Sequence, residues 1–504
     1  MKRKSYNVDT QSKISRVDDD IRAKLWVNAS ERPSGNLSAT REVRRGVRAL
    51  SAECMAVIVA HFKQLYEGSR EAFVASFRLL PDAYRERLAR LLLSEYAEII
   101  SLTVIQELFA MPPSVRLDHA IPALNRKQYP KLLRELPGAL TTLELIGFTE
   151  LSDASIPLLV KKSPGLRTLR LRGCLSIGEK AIEAISTLTE LEHLDVSFTA
   201  VTLAGLARVL TRCCALKRLD INGVGKVSSK NTAQWDQMLD SVVNSSVHAN
   251  LQPLSKLEHL NVAECNISDA ALGRWLALTP SLNTLDCHEC EITNPLLFIP
   301  PNLYKQLTKI DISGMSLDLR NFADFYQQLL ISANIQGLWM SGVTRNISAS
   351  DNEYLLTDER MTPADPAATA ASGFAPSEIN WSNNPRLRGS ACLAYHITSS
   401  LKYLNLSGST FDGRAFNDAI IANKPTRLEN LQLNDCTIDS DVVEGITRLT
   451  GLRALGVSKT TIDEEALDRI IDSCPLLDSL NLTLSRSIPV RYRRTYFDYY
   501  NERR

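Results

Sequence analysis

The sequence has almost no net charge: 58 Lys and Arg stand against 57 Asp and Glu over 504 residues, a formal +1. A global field that would draw the chain to nucleic acid or to an anionic membrane is therefore excluded. Long apolar runs are missing as well. None approaches the roughly 18–20 residues that cross a bilayer, and Met1-Lys2-Arg3-Lys4-Ser5-Tyr6-Asn7 leads into polar residues, with no signal-peptide core behind it. No membrane partner is expected, and the expected location is cytoplasmic, nuclear or both. In those compartments the ten cysteines are expected as thiols.

Signatures of catalysis are absent too. There is no Walker-type glycine loop, dinucleotide fingerprint, Gly-x-Ser-x-Gly elbow or His-Glu-x-x-His helix. Neither enzymatic activity, nor a catalytic residue, nor a cofactor is expected. Cys287-His288-Glu289-Cys290 is a single Cys-x-x-Cys without a second. Zinc needs further ligands at fixed spacing, so no metal is expected there, and both cysteines are assigned to packing.

What is present begins with apolar content of 44%, ample for a core. Charge is unevenly spread. Residues 1–50 hold 12 basic and 6 acidic side chains, residues 485–504 hold 6 and 2, and the stretch between them is left mildly acidic. Residues 1–40 are read as a disordered basic arm, with Lys2-Arg3-Lys4 as a short candidate import address. Residues 485–504 are read as a basic and aromatic cap or tail, in which Tyr496, Phe497 and Tyr500 share one helical face. These two ends carry the alternative of a nuclear, nucleic-acid-associated protein, although nucleic acid is not the expected partner.

The dominant feature is a period. From residue 140 the pattern Leu-x-x-Leu-x-Leu returns as Leu140/Leu143/Leu145, Leu166/Leu169/Leu171, Leu191/Leu194/Val196 and Leu216/Leu219/Ile221. It resumes at Leu257 and recurs down to Leu477/Leu480/Leu482, with steps of 24 to 28 apart from two of 41 and 66. A register at Pro376/Ile379/Trp381 divides the 66 into 41 and 25, and Val115/Leu117 fit a divergent first unit near Pro112. The two long steps place insertions at about 224–256 and 341–376. The first holds Trp235 in a helical stretch, Thr232–Val243; the second, around Asn346–Pro376, has little apolar periodicity and offers Thr362-Pro363 as a candidate phosphorylation site. After each short strand comes a Cys column (Cys174, Cys265, Cys290, Cys436) and then a helical pattern such as Leu272, Trp275 and Leu276. Proline often ends that helix, as at Pro164 and Pro280.

One such unit cannot bury its own apolar face, whereas stacked units share a continuous core. These residues resemble leucine-rich repeats of the cysteine-containing, ribonuclease-inhibitor-like class over about residues 112–484. The resemblance implies an α/β solenoid: a right-handed horseshoe with a parallel concave sheet and convex helices. Residues 41–111 supply helical spacings (Leu88, Leu91, Leu92, Tyr96, Ile99, Ile100) behind Leu79-Leu80-Pro81. They are read either as an α-helical N-terminal cap or as a degenerate F-box-like region, since a Leu-Pro start ahead of a repeat array is similar to the F-box/leucine-rich-repeat layout of ubiquitin-ligase substrate receptors. That layout implies a ligase adaptor as partner.

Strand alternation gives the functional expectation. If the leucines face the core, the residue between the last two faces the other way. That column reads Glu144, Arg170, Asp195, Asp220, Asn261, Asp286, Asp311, Trp339, Asn405, Gln432, Gly456 and Asn481, with His193, His259, His288, Arg218, Lys309 and Tyr403 in neighbouring columns. Stacked aspartates repel, so the stripe suits a protein partner with a basic segment, anchored on Trp339 and Tyr403. Partner-binding residues are thus expected at Arg170, Asp195, Asp220, Asp286, Asp311, Trp339 and Tyr403, on a protein expected to be a monomer. The alternative reading is local: Asp-x-Ser and Asp-x-Asn bond to their own turn.

Overall fold

The computed structural model describes residues 50–117, 121, 124, 128–225, 233–249, 254–315, 317, 319–331, 334–343, 373–384 and 391–489. The readings of the basic arm, of Thr362 with its insertion, and of Tyr496, Phe497 and Tyr500 lie outside these residues. Two compact units divide the chain, the first closing at Leu257 and the second opening at Glu258.

The first unit opens with helices α1 (Leu50–Ala60), α2 (Phe62–Gly68), α3 (Arg70–Leu79) and α4 (Asp82–Tyr96). Phe62 lies 5.7 Å from the ring of Phe73 and 5.4 Å from that of Tyr96, in a core shared with buried Phe77, Leu88, Leu92 and Leu108. Tyr66 donates its hydroxyl to Glu107 at 2.6 Å, and Arg70 Nε donates to the same oxygen at 3.0 Å. This fastens α2 and α3 to the π-helical turn Ile105–Phe109, which packs on the first strand.

Strands β1 (Ser114–Leu117), β2 (Thr142–Leu145), β3 (Thr168–Arg170), β4 (His193–Asp195) and β5 (Arg218–Asp220) follow, each parallel to the next in chain order. The second unit continues in the same manner. Its strands are β6 (His259–Asn261), β7 (Thr284–Asp286), β8 (Lys309–Asp311), β9 (Gly337–Trp339), β10 (Glu378–Asn380), β11 (Tyr403–Asn405), β12 (Asn430–Gln432), β13 (Ala454–Gly456) and β14 (Ser479–Asn481). They pair in parallel without a crossover. Each register aligns one repeat's leucine with the next, as in Leu169 with Leu194 and Leu404 with Leu431. The protein is an α/β leucine-rich-repeat solenoid in both units. The strand at Ser114 and the strand at Glu378 are the divergent first repeat and the register at Pro376 that the spacing predicts.

The repeat's chemistry explains its stacking. Leu169, Leu171, Leu194, Leu219, Leu285 and Leu404 are each at most 1% exposed, and full burial of such a side chain stabilises by about 1.5–3 kcal/mol. The Cys column reaches back by one repeat: Cys174 donates its thiol to the carbonyl of Leu145 at 3.0 Å, Cys290 to Val262 at 3.1 Å and Cys436 to Leu406 at 3.2 Å. Burial raises the Cys174 thiol to about 12 and holds Cys287 well above the usual thiol range. The cysteines whose side chains are described are free thiols; all but exposed Cys54 and half-buried Cys214 are buried and packed as small apolar groups. In the first insertion the helix runs Ala233–Ala249, beyond the predicted Val243, and buries Trp235, Met238, Leu239 and Val242 at helical spacing. From β2 onward, two residues past each strand's last core position, the backbone turns left-handed, at Gly147, Gly173, Phe198, Gly223, Glu264, Glu289 and onward to Leu484.

Candidate functional site

That left-handed turn defines what the strand column does. The side chain of the column residue bends back, and its Oδ1 accepts from the amide two residues on. Ser197 N donates to Asp195 at 3.1 Å, Ala263 N to Asn261 at 3.0 Å, His288 N to Asp286 at 3.3 Å and Ser313 N to Asp311 at 2.9 Å. The same bond recurs at Asn380, Asn405 and Asn481. The local alternative is therefore present in seven repeats, and it is met equally by Asp and by Asn.

In the first unit the column's charges are compensated. Arg116 Nε lies 3.3 Å from Glu144, and Arg170 lies 3.5 Å from Glu144 and 3.4 Å from Asp195. Arg218 Nε donates to Asp220 at 2.8 Å. Asp195 and Asp220 are only 2% and 5% exposed. The expectation of an open stripe of mutually repelling aspartates is thus corrected for these two: they are paired with arginines on the same or the adjacent strand and lie almost out of water. Arg170 and Asp195 are brought together, and Asp220 is beside Asp195 in register. Desolvation, with Arg218 as the next largest cause, lowers the pKa of His193.

The second unit is organised differently. Asp286 and Asp311 face each other in register. Asn261 Nδ2 donates to Asp286 Oδ2 at 2.9 Å, and His288 Nδ1 meets Asp286 Oδ1 at 2.6 Å. One ligand atom from each of Asp286, His288 and Asp311 lies within 4.8 Å of the others. Burial, followed by the neighbouring Asp286 carboxylate, pushes Asp311 up to about 6. The repeat pattern places Asp286 and Asp311 in the stripe and His288 in a neighbouring column without joining them; the i, i+2 step from Asp286 to His288 is the sequence signal for the trio. His288 also lines a cleft of about 730 Å³ with Glu289, Glu291, Ser313, Ser341 and Asn383. Trp339 is next to Asp311 in register and half-buried, with Lys309 Nζ 5.5 Å from its ring centre. Its neighbour Gly337 leaves the space that the ring fills: a Cβ there would stand 2.5 Å from ring carbons. Tyr403, half-buried, pairs with Glu378 in a different column from Trp339.

Comparison with known proteins agrees with the repeat architecture in part of the chain. The LRR repeats of the FBD-associated F-box protein At5g56370 match residues 395–495. No curated protein matches significantly. Among solved structures, an internalin (inlF) from Listeria monocytogenes str. 4b F2365 is similar at 16% identity and a TM-score of 0.41, over 74% of this chain and 89% of that one. The yeast Rad7 and Elc1 complex contains a chain similar at 15% identity and a TM-score of 0.46, over 89% of this chain and 96% of that one.

Proposed function

We propose that this leucine-rich-repeat chain is a non-catalytic protein-interaction scaffold that receives a protein partner, through a basic segment, on the strand face opposite its leucines. The observation that carries the reading is the column in the second unit, where consecutive strands set Asp286, Asp311 and Trp339 side by side. Strands about 4.8 Å apart present such side chains as a ladder that an extended segment can follow. The carboxylates supply charge complementarity, and Trp339 with Tyr403 supplies aromatic anchors. In the first unit, the half-buried Arg170 is the column residue left for a partner to reach, since Asp195 and Asp220 are buried in their arginine pairs.

The test compares affinity recovery by the full chain, read by quantitative mass spectrometry, with recovery by Trp339→Ala and by the joint reversal Asp286→Lys/Asp311→Lys. Both variants are expected to lose the same set of proteins by tenfold or more while still unfolding in one cooperative transition above the assay temperature. Equal recovery by all three proteins overturns the reading. A second reading, a substrate receptor of a cullin-type ubiquitin ligase, is favoured by apolar side chains left in water on the N-terminal helices, Leu50 at 80% and Leu79 at 85% exposed. The F-box-associated origin of the matching repeats supports it too.

A further inference from the structure

The repeats provide their own controls for the charge at Asp286 and Asp311. The turn bond at this register is made equally well by Asn261, Asn380, Asn405 and Asn481, so it does not require a carboxylate. In the first unit, where the column does carry carboxylates, an arginine accompanies them: Arg170 with Asp195 and Arg218 with Asp220. At Asp286 the imidazole of His288 stands 2.6 Å away, and Asp311 lies beside Asp286 in register. Two carboxylates and an imidazole, from two adjacent strands and the turn after one of them, form a ligand set, whereas a carboxylate beside an arginine is an ion pair.

We propose that Asp286, His288 and Asp311 bind one divalent first-row transition-metal ion, of the manganese or zinc type, between β7 and β8. Such an ion takes oxygen and imidazole ligands at about 2.0–2.2 Å, which places ligand atoms roughly 3–4 Å apart. The trio already holds one ligand atom from each residue within 4.8 Å of the others. Mixed oxygen and imidazole donors select against soft cuprous ions and suit manganese or zinc. Asn261, donating to Asp286 Oδ2, holds that carboxylate from outside, as outer groups hold metal ligands. His288 is shared with the wall of the 730 Å³ cleft, so the remaining coordination positions are within reach of water or of a donor from a bound protein. The ion would then clamp two repeats.

The site can be tested on the full-length protein by titration with Mn²⁺, following the free ion by electron paramagnetic resonance. Thiols are poor ligands for manganese, so the cysteines do not contribute. A single Mn²⁺ per chain is expected, displaced by Zn²⁺ and lost in both His288→Ala and Asp311→Asn. Asp311→Asn keeps the turn bond that asparagine makes elsewhere in the column, and an unchanged unfolding midpoint shows that its loss of the ion is local. Wild-type protein that takes up no Mn²⁺ at millimolar concentration, or variants that retain it, overturn the proposal. An oligolysine peptide provides the separating arm. Binding of oligolysine that Asp311→Asn abolishes, without Mn²⁺ uptake, makes the pair a seat for a cationic side chain; it sinks the metal site and leaves the proposed function standing. Mn²⁺ bound as expected, with recovery of proteins indifferent to reversal at Asp286 and Asp311, supports the ion and sinks the basic-segment reading.

Discussion

His396 is fully buried, its ring 4.6 Å from that of Trp381 and its Nε2 2.9 Å from the Tyr326 hydroxyl. Burial lowers its pKa to about 3. The folded value lies below the unfolded value of about 6.5, so as pH falls the unfolded chain takes the proton first. The stability contributed by the neutral ring is whole above pH 6.5 and is lost as pH falls from 6.5 towards 3. Relative to His396→Gln, whose amide can still meet Tyr326, wild type is expected to lose on the order of a few kcal/mol across that window. Urea unfolding of both proteins at pH 7, 5.5 and 4.5 checks this, and parallel losses in the two would sink it. The sequence offered no sign of this residue. Its packing against Trp381 and Tyr326 joins three separate stretches of chain, and no spacing rule reaches across them. Asp286 and His288 were nearer to legible, because two residues along a strand and its turn remain neighbours. What pattern could not supply was the contrast between arginine partners in one unit and an imidazole in the other, since that depends on which side chains reach sideways between strands.

At the scale of the element, the strands were the most readable part. A leucine that recurs about every 25 residues fixes both the strand and the face it buries, and this carried through to the divergent strands at Ser114 and Glu378. Helix limits were less readable: Ala233–Ala249 continues past Val243 through Asn244, Ser245 and Ser246, residues that pattern alone counts as a stop. Caps that act between repeats could not be read from one repeat at all. Asp439 caps the helix Ser440–Thr447, accepting from Val442 N at 2.9 Å, and its carboxylate lies against Gly413, the first residue of the helix Gly413–Asn423 in the preceding repeat. A methyl group at 413 would displace the cap. Asp439→Ala is expected to cost about 1 kcal/mol, and Gly413→Ala is expected to destabilise wild type. In the Asp439→Ala background the clash is gone and alanine's helix preference remains, so Gly413→Ala should become neutral or stabilising there. Chemical unfolding of the four proteins closes the cycle, and additive effects would show that the two repeats do not communicate through this contact.

For the whole molecule, the repeat array and its helical beginning could be read from sequence, but the use of that beginning could not. A helix that seals the first repeat and a helix that docks an adaptor have the same buried residues; they differ in what is left in water. Leu79 is 85% and Leu50 80% exposed, at the end of α3 and the start of α1, while Phe62, Phe77 and Leu88 fill the interior. A pure cap gains nothing by exposing leucine, whereas a docking helix needs an apolar anchor, and truncating an anchor of that kind costs about 2 kcal/mol or more, a factor of roughly 30 in affinity. If the ligase reading holds, a purified cullin adaptor of the Skp type binds the full chain, and Leu79→Asp weakens it by at least tenfold without moving the thermal midpoint, since the side chain contributes little to the core. Trp339→Ala, placed in the second unit, should leave adaptor binding unchanged while removing the proteins recovered through the strand face. Adaptor binding that ignores Leu79→Asp and Leu50→Asp, or that is absent from the wild-type chain, assigns the N-terminal helices to sealing the first repeat and leaves the scaffold reading to stand without a ligase.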